Sequence, residues 1–501
     1  MNKQHFVLAY DLGTSGVKAA LVTMQGEAVH TATAEYPLYI PNPGWAEQDP
    51  ELYWKAVCSV TKQVLAEADA APESVKGIAF GTQWKAIIPI DGEGNVLRNA
   101  MIWLDARASS QARRLNERFG EGMFNAADYW PKLMWLRENE PECVAKATMI
   151  LEVNSFLKWK ATGEAAIDLS NCFVQSFDET IDKLFSDILS FADIPREKFP
   201  RTVDSEELVG YVTEQAAEEM GLVKGIPVFG GDTDIKAITI GSGCCNVGDV
   251  HMYFGSSGWI GFTVPHTADE LYISPFDKER DVNIFGMQAI GLSLNWVVRR
   301  FYGREWDEMG GKVFDFVNEE LKDIPAGSEG VFATPWFYGD VPPLLSEDVR
   351  GTFINLGPQH DRRHMVRAIM EGVCYHLKTG ALNIQREKGY PAPKAVNVIG
   401  GGSLSDIWMQ TLADVMNVSV RVPKSTKHAG AVGTAYNALI GLGVCADYNE
   451  VGKHLQIERS FEPIPENVAI YEKYFPIYAS LFQRLESLFS AMNGDGEEVL
   501  E

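Results

Sequence analysis

No GxxxxGK[ST] loop occurs in this sequence, which sets aside the P-loop nucleotide fold. HExxH, GxSxG and an EF-hand loop are also missing, so zinc-peptidase, serine-hydrolase and calcium-sensor chemistry fall with it. The seven cysteines (Cys58, Cys143, Cys172, Cys244, Cys245, Cys374 and Cys445) are scattered and form no CxxC pair. They read as buried free thiols of a reducing compartment, not as a disulfide framework or a zinc site. No uninterrupted apolar run approaches the ~18 residues of a spanning helix. Met1 to His5 enters a strand at once, without the apolar core of a signal peptide. Basic residues are the scarcer sign: 44 Lys and Arg stand against 68 Asp and Glu, a net charge of −24. That excludes nucleic acid and anionic membrane as bulk partners. The expectation is a cytoplasmic enzyme acting on small molecules.

What the sequence does contain is one turn, used twice. Asp11-Leu12-Gly13-Thr14-Ser15-Gly16-Val17-Lys18 joins the apolar runs Phe6 to Ala9 and Ala19 to Val22. Phe254-Gly255-Ser256-Ser257-Gly258 joins Val250 to Tyr253 with Trp259 to Val264. Each reads as strand, tight Gly/Ser/Thr turn, strand, leaving amides and hydroxyls free to face an oxyanion. Two such hairpins, half a chain apart, predict two similar half-molecules that hold one phosphate chain. A length of 501 residues is too great for one core, and 46% hydrophobic residues suffice for two.

The remaining grammar fits an α/β protein with mixed sheets. A three-strand meander opens the chain, and Asp49-Pro50 caps a helix to about Ala68. Val75 to Phe80 and Ala86 to Ile90 are predicted strands, and Ile226 to Phe229 is a strand running into Gly230-Gly231-Asp232-Thr233-Asp234. The second half repeats the pattern, with helices near 290–302 and 360–388. Ala395 to Ile399 is then a strand delivering Gly400-Gly401-Gly402-Ser403, followed by a helix from Ser405 to Met416. The last motif is a small-residue helix from Ala429 to Ala435. The predicted division is 1–246, 247–490 and a frayed acidic tail, 491–501. Gly441 to Ala446 fits the dinucleotide fingerprint by letters, but closes a helix instead of following a strand. His360 and His364 share a helical face and read as a solvated pair.

The order of these motifs resembles the FGGY carbohydrate kinases over essentially the whole chain. The resemblance runs through Asp11 to Gly16, Gly44-Trp45-Ala46-Glu47-Gln48-Asp49-Pro50, Trp103-Leu104-Asp105-Ala106-Arg107 and Gly230 to Gly243. It continues through Phe254 to Gly258, Gly400 to Ser403 with Trp408, Gln410 and Asp414, and Ala429 to Gly433. Within the family the layout is most similar to the xylulokinases. The resemblance implies two actin-like, ribonuclease-H-like domains that close on ATP and a sugar in the cleft between them. It implies Mg²⁺ at Asp11 and phosphates held by Gly13, Thr14, Ser15 and Lys18 with Gly255, Ser256 and Ser257. The adenosine would be bordered by Gly401, Gly402 and Ser403, with Ala429 and Gly430 nearby. The sugar side falls to Gln83, Trp84, Lys85, Trp103, Asp234 and Ile235. Counting back seven residues from Gly241, as the family layout asks, makes Asp234 the base, so Asp232 reads as a helix cap or local turn residue.

The acceptor side departs from the xylulokinase pattern. Gly81-Thr82-Gln83-Trp84-Lys85 stands where Gly-Gln-Met-His-Gly is usual, and Ile235 follows the base where Asn or Gln is usual. Lys85 and Lys236 would suit an anionic sugar acid, such as gluconate, if they line the pocket; otherwise both face solvent. The expected activity is transfer of the γ-phosphoryl group from MgATP to a sugar hydroxyl of a ketose or polyol. An actin-like ATPase without an acceptor and a non-catalytic sugar sensor are the competing classes. The Trp103–Arg107 segment and Asp234, expected to build an acceptor site, disfavour the first, and intact Asp11 and Asp234 disfavour the second. The pattern leaves room for a homodimer.

Overall fold

The computed structural model describes residues 4–267, 274–340, 348–424 and 426–493. The terminal stretch 494–501, most of the expected tail, lies outside the described residues. Two compact units are formed. The first comprises 1–245, 264–282 and 428–454; the second comprises 246–263, 283–427 and 455–501. A single cut near 246 therefore does not separate them, because two later segments pack into the first unit's core.

The first strand, Phe6–Leu12, is buried along its whole length, as expected of an apolar run covered on both faces. It pairs antiparallel with Gly16–Thr23, which pairs antiparallel with Ala28–Glu35. On its other side it pairs parallel with Val75–Thr82, which is followed by the parallel Pro227–Phe229 and the antiparallel Leu208–Tyr211. The second sheet repeats this order. Val250–Phe254 and Gly258–Pro265 form the hairpin, and Arg280–Met287 lies beside it. Ala395–Ile399 and Ser419–Pro423 add in parallel, and Ile457–Phe461 closes antiparallel. The predicted duplication is thus a duplication of topology as well as of turns.

The helix Pro50–Glu67 starts at the predicted cap: Asp49 accepts from the Glu51 amide, with Pro50 in the first turn. Its buried stripe of Tyr53, Trp54, Val57, Val60, Thr61 and Val64 has helical spacing and lies on the first sheet. Thr61 also meets the Tyr10 hydroxyl at 2.5 Å. On the other side, Asp234–Gly241 packs against Ala429–Gly441. Here glycine is required: a Cβ on Gly433 would lie 1.9 Å from the Ala237 carbonyl oxygen, and one on Gly241 1.9 Å from that of Ala429. Gly441 to Ala446 does close this helix, with Gly443 in the left-handed region at φ 71°. All seven cysteines are free. His360 and His364 are not a solvated pair. His364 is buried and completes a capping box with Asp361 at the start of Arg362–Lys388. Among the described residues no helix is long and apolar enough to cross a membrane.

Candidate active site

Three adjacent strands of the first unit bring the carboxylates together. Asp11 pairs in register with Gly81, and Gly81 with Asp232 on the two-residue strand Asp232–Thr233. Asp234 then opens the helix Asp234–Gly241, with Thr233 as its N-cap accepting from the Lys236 amide. The Asp234 carboxylate accepts from the Ile235 amide at 2.9 Å. Burial, and then the nearby charge of Asp11, raise its pKa to about 7. Asp11 is 9% exposed and has Lys18, its strand partner, 3.6 Å away. Gly430 stands against it: a Cβ there would come within 2.6 Å of Asp11 Oδ2. Ala429 and Gly430 therefore sit beside the Asp11 carboxylate of the first unit, while Gly401 to Ser403 belong to the second.

Asp232 is neither the helix cap nor a turn aspartate. Thr233 is the cap, and Asp232, fully buried, accepts from Thr434 Oγ1 at 2.8 Å and Asn437 Nδ2 at 2.7 Å. Burial raises its pKa to about 8 against the pull of those two donors.

The first turn is fastened by side chains from distant segments. Tyr36 donates to the Gly13 carbonyl at 2.5 Å, and Gln48 Nε2 to the Thr14 carbonyl at 2.7 Å. Trp103 Nε1 donates to Thr14 Oγ1 at 2.9 Å, which leaves the Thr14 hydroxyl proton free to donate elsewhere. Gln48 Oε1 is held in turn by Tyr53 at 2.8 Å and Gln83 at 2.9 Å. Gln83 is thus buried in the support of the first turn, with its Oε1 unpartnered. Ser15 is exposed at the tip.

The second turn is fastened by backbone. The amides of Ile290 and Leu292 donate to the Ser256 carbonyl, and that of Gly291 to the Gly255 carbonyl at 2.9 Å, all from the start of the helix Gly291–Phe301. Ser256 is exposed and Ser257 half-buried. Gly400, at φ 99°, presses on the end of the preceding strand, where a Cβ would lie 2.6 Å from the Phe254 carbonyl oxygen. The second unit therefore joins the Gly255–Ser257 and Gly401–Ser403 turns. The Ser403 hydroxyl is turned inward, donating to the Gly400 carbonyl.

On the acceptor side both lysines are engaged within the protein, not solvated. Lys85 Nζ lies 2.6 Å from the buried Asp128 carboxylate and 4.9 Å from the Trp84 ring centre. Its backbone sits at φ 63°, a left-handed position that glycine fills without strain. Lys236 is buried, donating to Ser205 at 2.9 Å over the rings of Phe276 and Tyr448. Trp84 stacks on Phe173, and its Nε1 is buried without a partner. Ile235 is buried. The backbone of this turn is gripped by Lys132, which donates to the Lys85 carbonyl, and by Glu152, which accepts from the Ala86 amide. Burial lowers Lys132 to about 7 and raises Glu152. Asp105 and Arg107, expected to build the acceptor site, are engaged within the protein. Asp105 accepts from the Ala46 amide and from Arg107, and Arg107 covers Trp45 at 3.6 Å. Gln48, Tyr36, Glu152, Lys132, Thr434 and Asn437 were not assigned from sequence. Gln48 and Thr434 lay in motifs legible in the sequence, but their roles depend on partners 34 and 202 residues away.

Residues 6–241 match the N-terminal domain and residues 252–442 the C-terminal domain of the FGGY family of carbohydrate kinases. The chain belongs to this family, and it has the family's two-domain fold with mixed sheets: an ATP-dependent carbohydrate kinase. It is 27% identical to a xylulose kinase of Bacillus subtilis, with 97% of this chain and 98% of that protein aligned. It is 28% identical to the L-xylulose/3-keto-L-gulonate kinase of Escherichia coli, over 99% and 98%. Its fold matches the crystal structure of a gluconate kinase from Lactobacillus acidophilus with a TM-score of 0.86 at 22% identity, over 98% and 100% of the two chains.

Proposed function

We propose that the protein transfers the γ-phosphoryl group of ATP to a hydroxyl of a neutral ketose of the xylulose type, with Asp234 as general base. The observation that carries this reading is the Asp234 carboxyl: half-buried, at a helix start on the strand ends, and raised to about 7 by desolvation and then by the charge of Asp11. A base poised there matches proton removal near neutral pH. The Gly13 amide closes its turn by donating to the Gly16 carbonyl, so the amides and hydroxyls of Thr14 and Ser15, with those of Gly255 to Ser257, would hold the phosphates; preorganised donors of this kind stabilise transferring charge. Gly401 and Gly402 would face the nucleoside by bare backbone; the inward Ser403 hydroxyl would brace their turn.

Magnesium fits this donor set. Mg²⁺ takes one or two carboxylates and keeps waters and phosphate oxygens, and no group of three or more His, Cys, Asp or Glu side chains suited to a metal occurs among the described residues. Asp11 would hold the ion, which would neutralise charge on the phosphates during transfer.

Neutral substrate is favoured over a sugar acid because Lys85 is matched by Asp128 and Lys236 is enclosed by Ser205, Phe276 and Tyr448. A carboxylate-bearing substrate would have to draw Lys85 away from Asp128. The test is an ADP-release screen with MgATP over ketoses, polyols and sugar acids. Turnover that rises with D-xylulose or a similar ketose is expected. Preference for gluconate would return Lys85 to the substrate, and strong turnover indifferent to every acceptor would favour an actin-like ATPase.

A further inference from the structure

Asp232 lies two residues from the assigned base, yet its side chain turns to a different element. Its two oxygens take the hydroxyl of Thr434 and the amide of Asn437, one helical turn apart on Ala429–Gly441. Beyond it the chain of polar contacts continues: Tyr448 donates to Asn437 Oδ1 at 2.7 Å, and its ring flanks the Lys236 ammonium at 4.7 Å. Lys236 sits in the first turn of the base's own helix. That helix is thus held to Ala429–Gly441 at Asp232, through the Lys236–Tyr448 contact, and by glycine-mediated backbone contact at Gly433 and Gly241. The same helix puts Gly430 against Asp11. Asp11 and Asp234 are therefore both registered on one helix, and Asp232 is the polar pin of that register.

We propose that Asp232 is a positioning residue: it fixes the Asp234 turn on the Ala429–Gly441 helix through Thr434 and Asn437, so that the base and the Asp11 carboxylate keep their relative places. Close packing alone leaves small sliding motions open, whereas a buried carboxylate with two directed donors does not. An ordinary buried aspartate would stabilise the fold without altering the reaction; a pin alters kcat in protein that is still folded.

This rests on the proposed function, and the test separates the two. Full-length wild type and variants are compared for kcat and KM, using MgATP and D-xylulose, or whichever acceptor the screen selects. Amide hydrogen exchange is followed over 234–241. Asp232→Ala should lower kcat by about tenfold or more, the combined worth of two buried hydrogen bonds, with KM for MgATP within about threefold. Asp232→Asn keeps an acceptor for Asn437 and a donor for Thr434, so it should recover most of the rate. Asn437→Ala, on the other helix, should lower kcat in the same way, and combining it with Asp232→Ala should add little. Exchange over 234–241 should rise in both single variants. If Asp232→Ala does not fold, Asn437→Ala and Thr434→Val carry the test from the far side. Unchanged kcat and exchange in folded variants, or additive losses in the double variant, overturn the pin. Loss of turnover in Asp232→Asn comparable to that of a missing base also overturns it and makes Asp232 the base. Wild type without acceptor-dependent ADP release defeats the kinase reading alone, while the exchange comparison still decides the pin.

Discussion

The two Gly/Ser/Thr turns have the same grammar but are held in opposite ways. The first, at 13–15, depends on Tyr36, Gln48 and Trp103, three side chains from three other segments. The second, at 255–257, depends on backbone amides at the start of the helix that follows its own sheet. One sequence pattern thus yields one kind of turn by two routes. The first turn can be loosened by a single side-chain change; the second answers only to changes that move backbone.

The largest expected effect leaves both turns intact. Asp234→Asn should lower kcat by ~10²–10⁴-fold, the usual worth of a general base, with MgATP still bound. If Asp234 is the base, kcat/KM of the wild type should fall about tenfold per pH unit below about 7, where the carboxyl holds its proton. The stability sign is opposite. A carboxyl raised from 3.8 to about 7 contributes stability present below about pH 4 and lost as pH rises toward 7. Asp234→Asn should therefore flatten the melting profile in that window, and a variant profile parallel to the wild type would detach the titration from Asp234.

Backbone changes come next. A Cβ on Gly258 would lie 2.0 Å from the Tyr253 carbonyl oxygen, so Gly258→Ala should cost about 1–3 kcal/mol of stability, the usual range for overpacking. Nothing lies within 4 Å of a Cβ on Gly13. Gly13→Ala should keep its melting temperature and raise KM for MgATP, because only a ligand needs that bare backbone. Equal destabilisation of the two would erase the contrast. Gln48→Leu should follow, leaving the Tyr53 and Gln83 donors without their acceptor at about 1–3 kcal/mol. Faster amide exchange should then be confined to the first turn; a matching change at 255–257 would break the comparison. The smallest effect belongs to Trp103→Phe, which removes one hydrogen bond to Thr14, worth about 0.5–1.5 kcal/mol, and should appear mainly in KM for MgATP.

Much was legible in the sequence by itself: both hairpins, the Asp49-Pro50 cap, the doubled α/β order and the resemblance to FGGY kinases. These rest on turns, caps and periodicities set by residues within a few positions of one another, where local sterics and hydrogen bonding decide. Only the tertiary structure decided which polar residues are spent inside the protein. Asp105 and Arg107 are joined to each other and to Glu47 and Ala46; Lys85 and Lys236 looked solvated or substrate-facing and found Asp128 and Ser205. Asp232 looked like a cap and instead meets Thr434 and Asn437, 202 and 205 residues away. A buried charge must take whatever partner the packing brings, and packing joins segments whose separation along the chain carries no local signature.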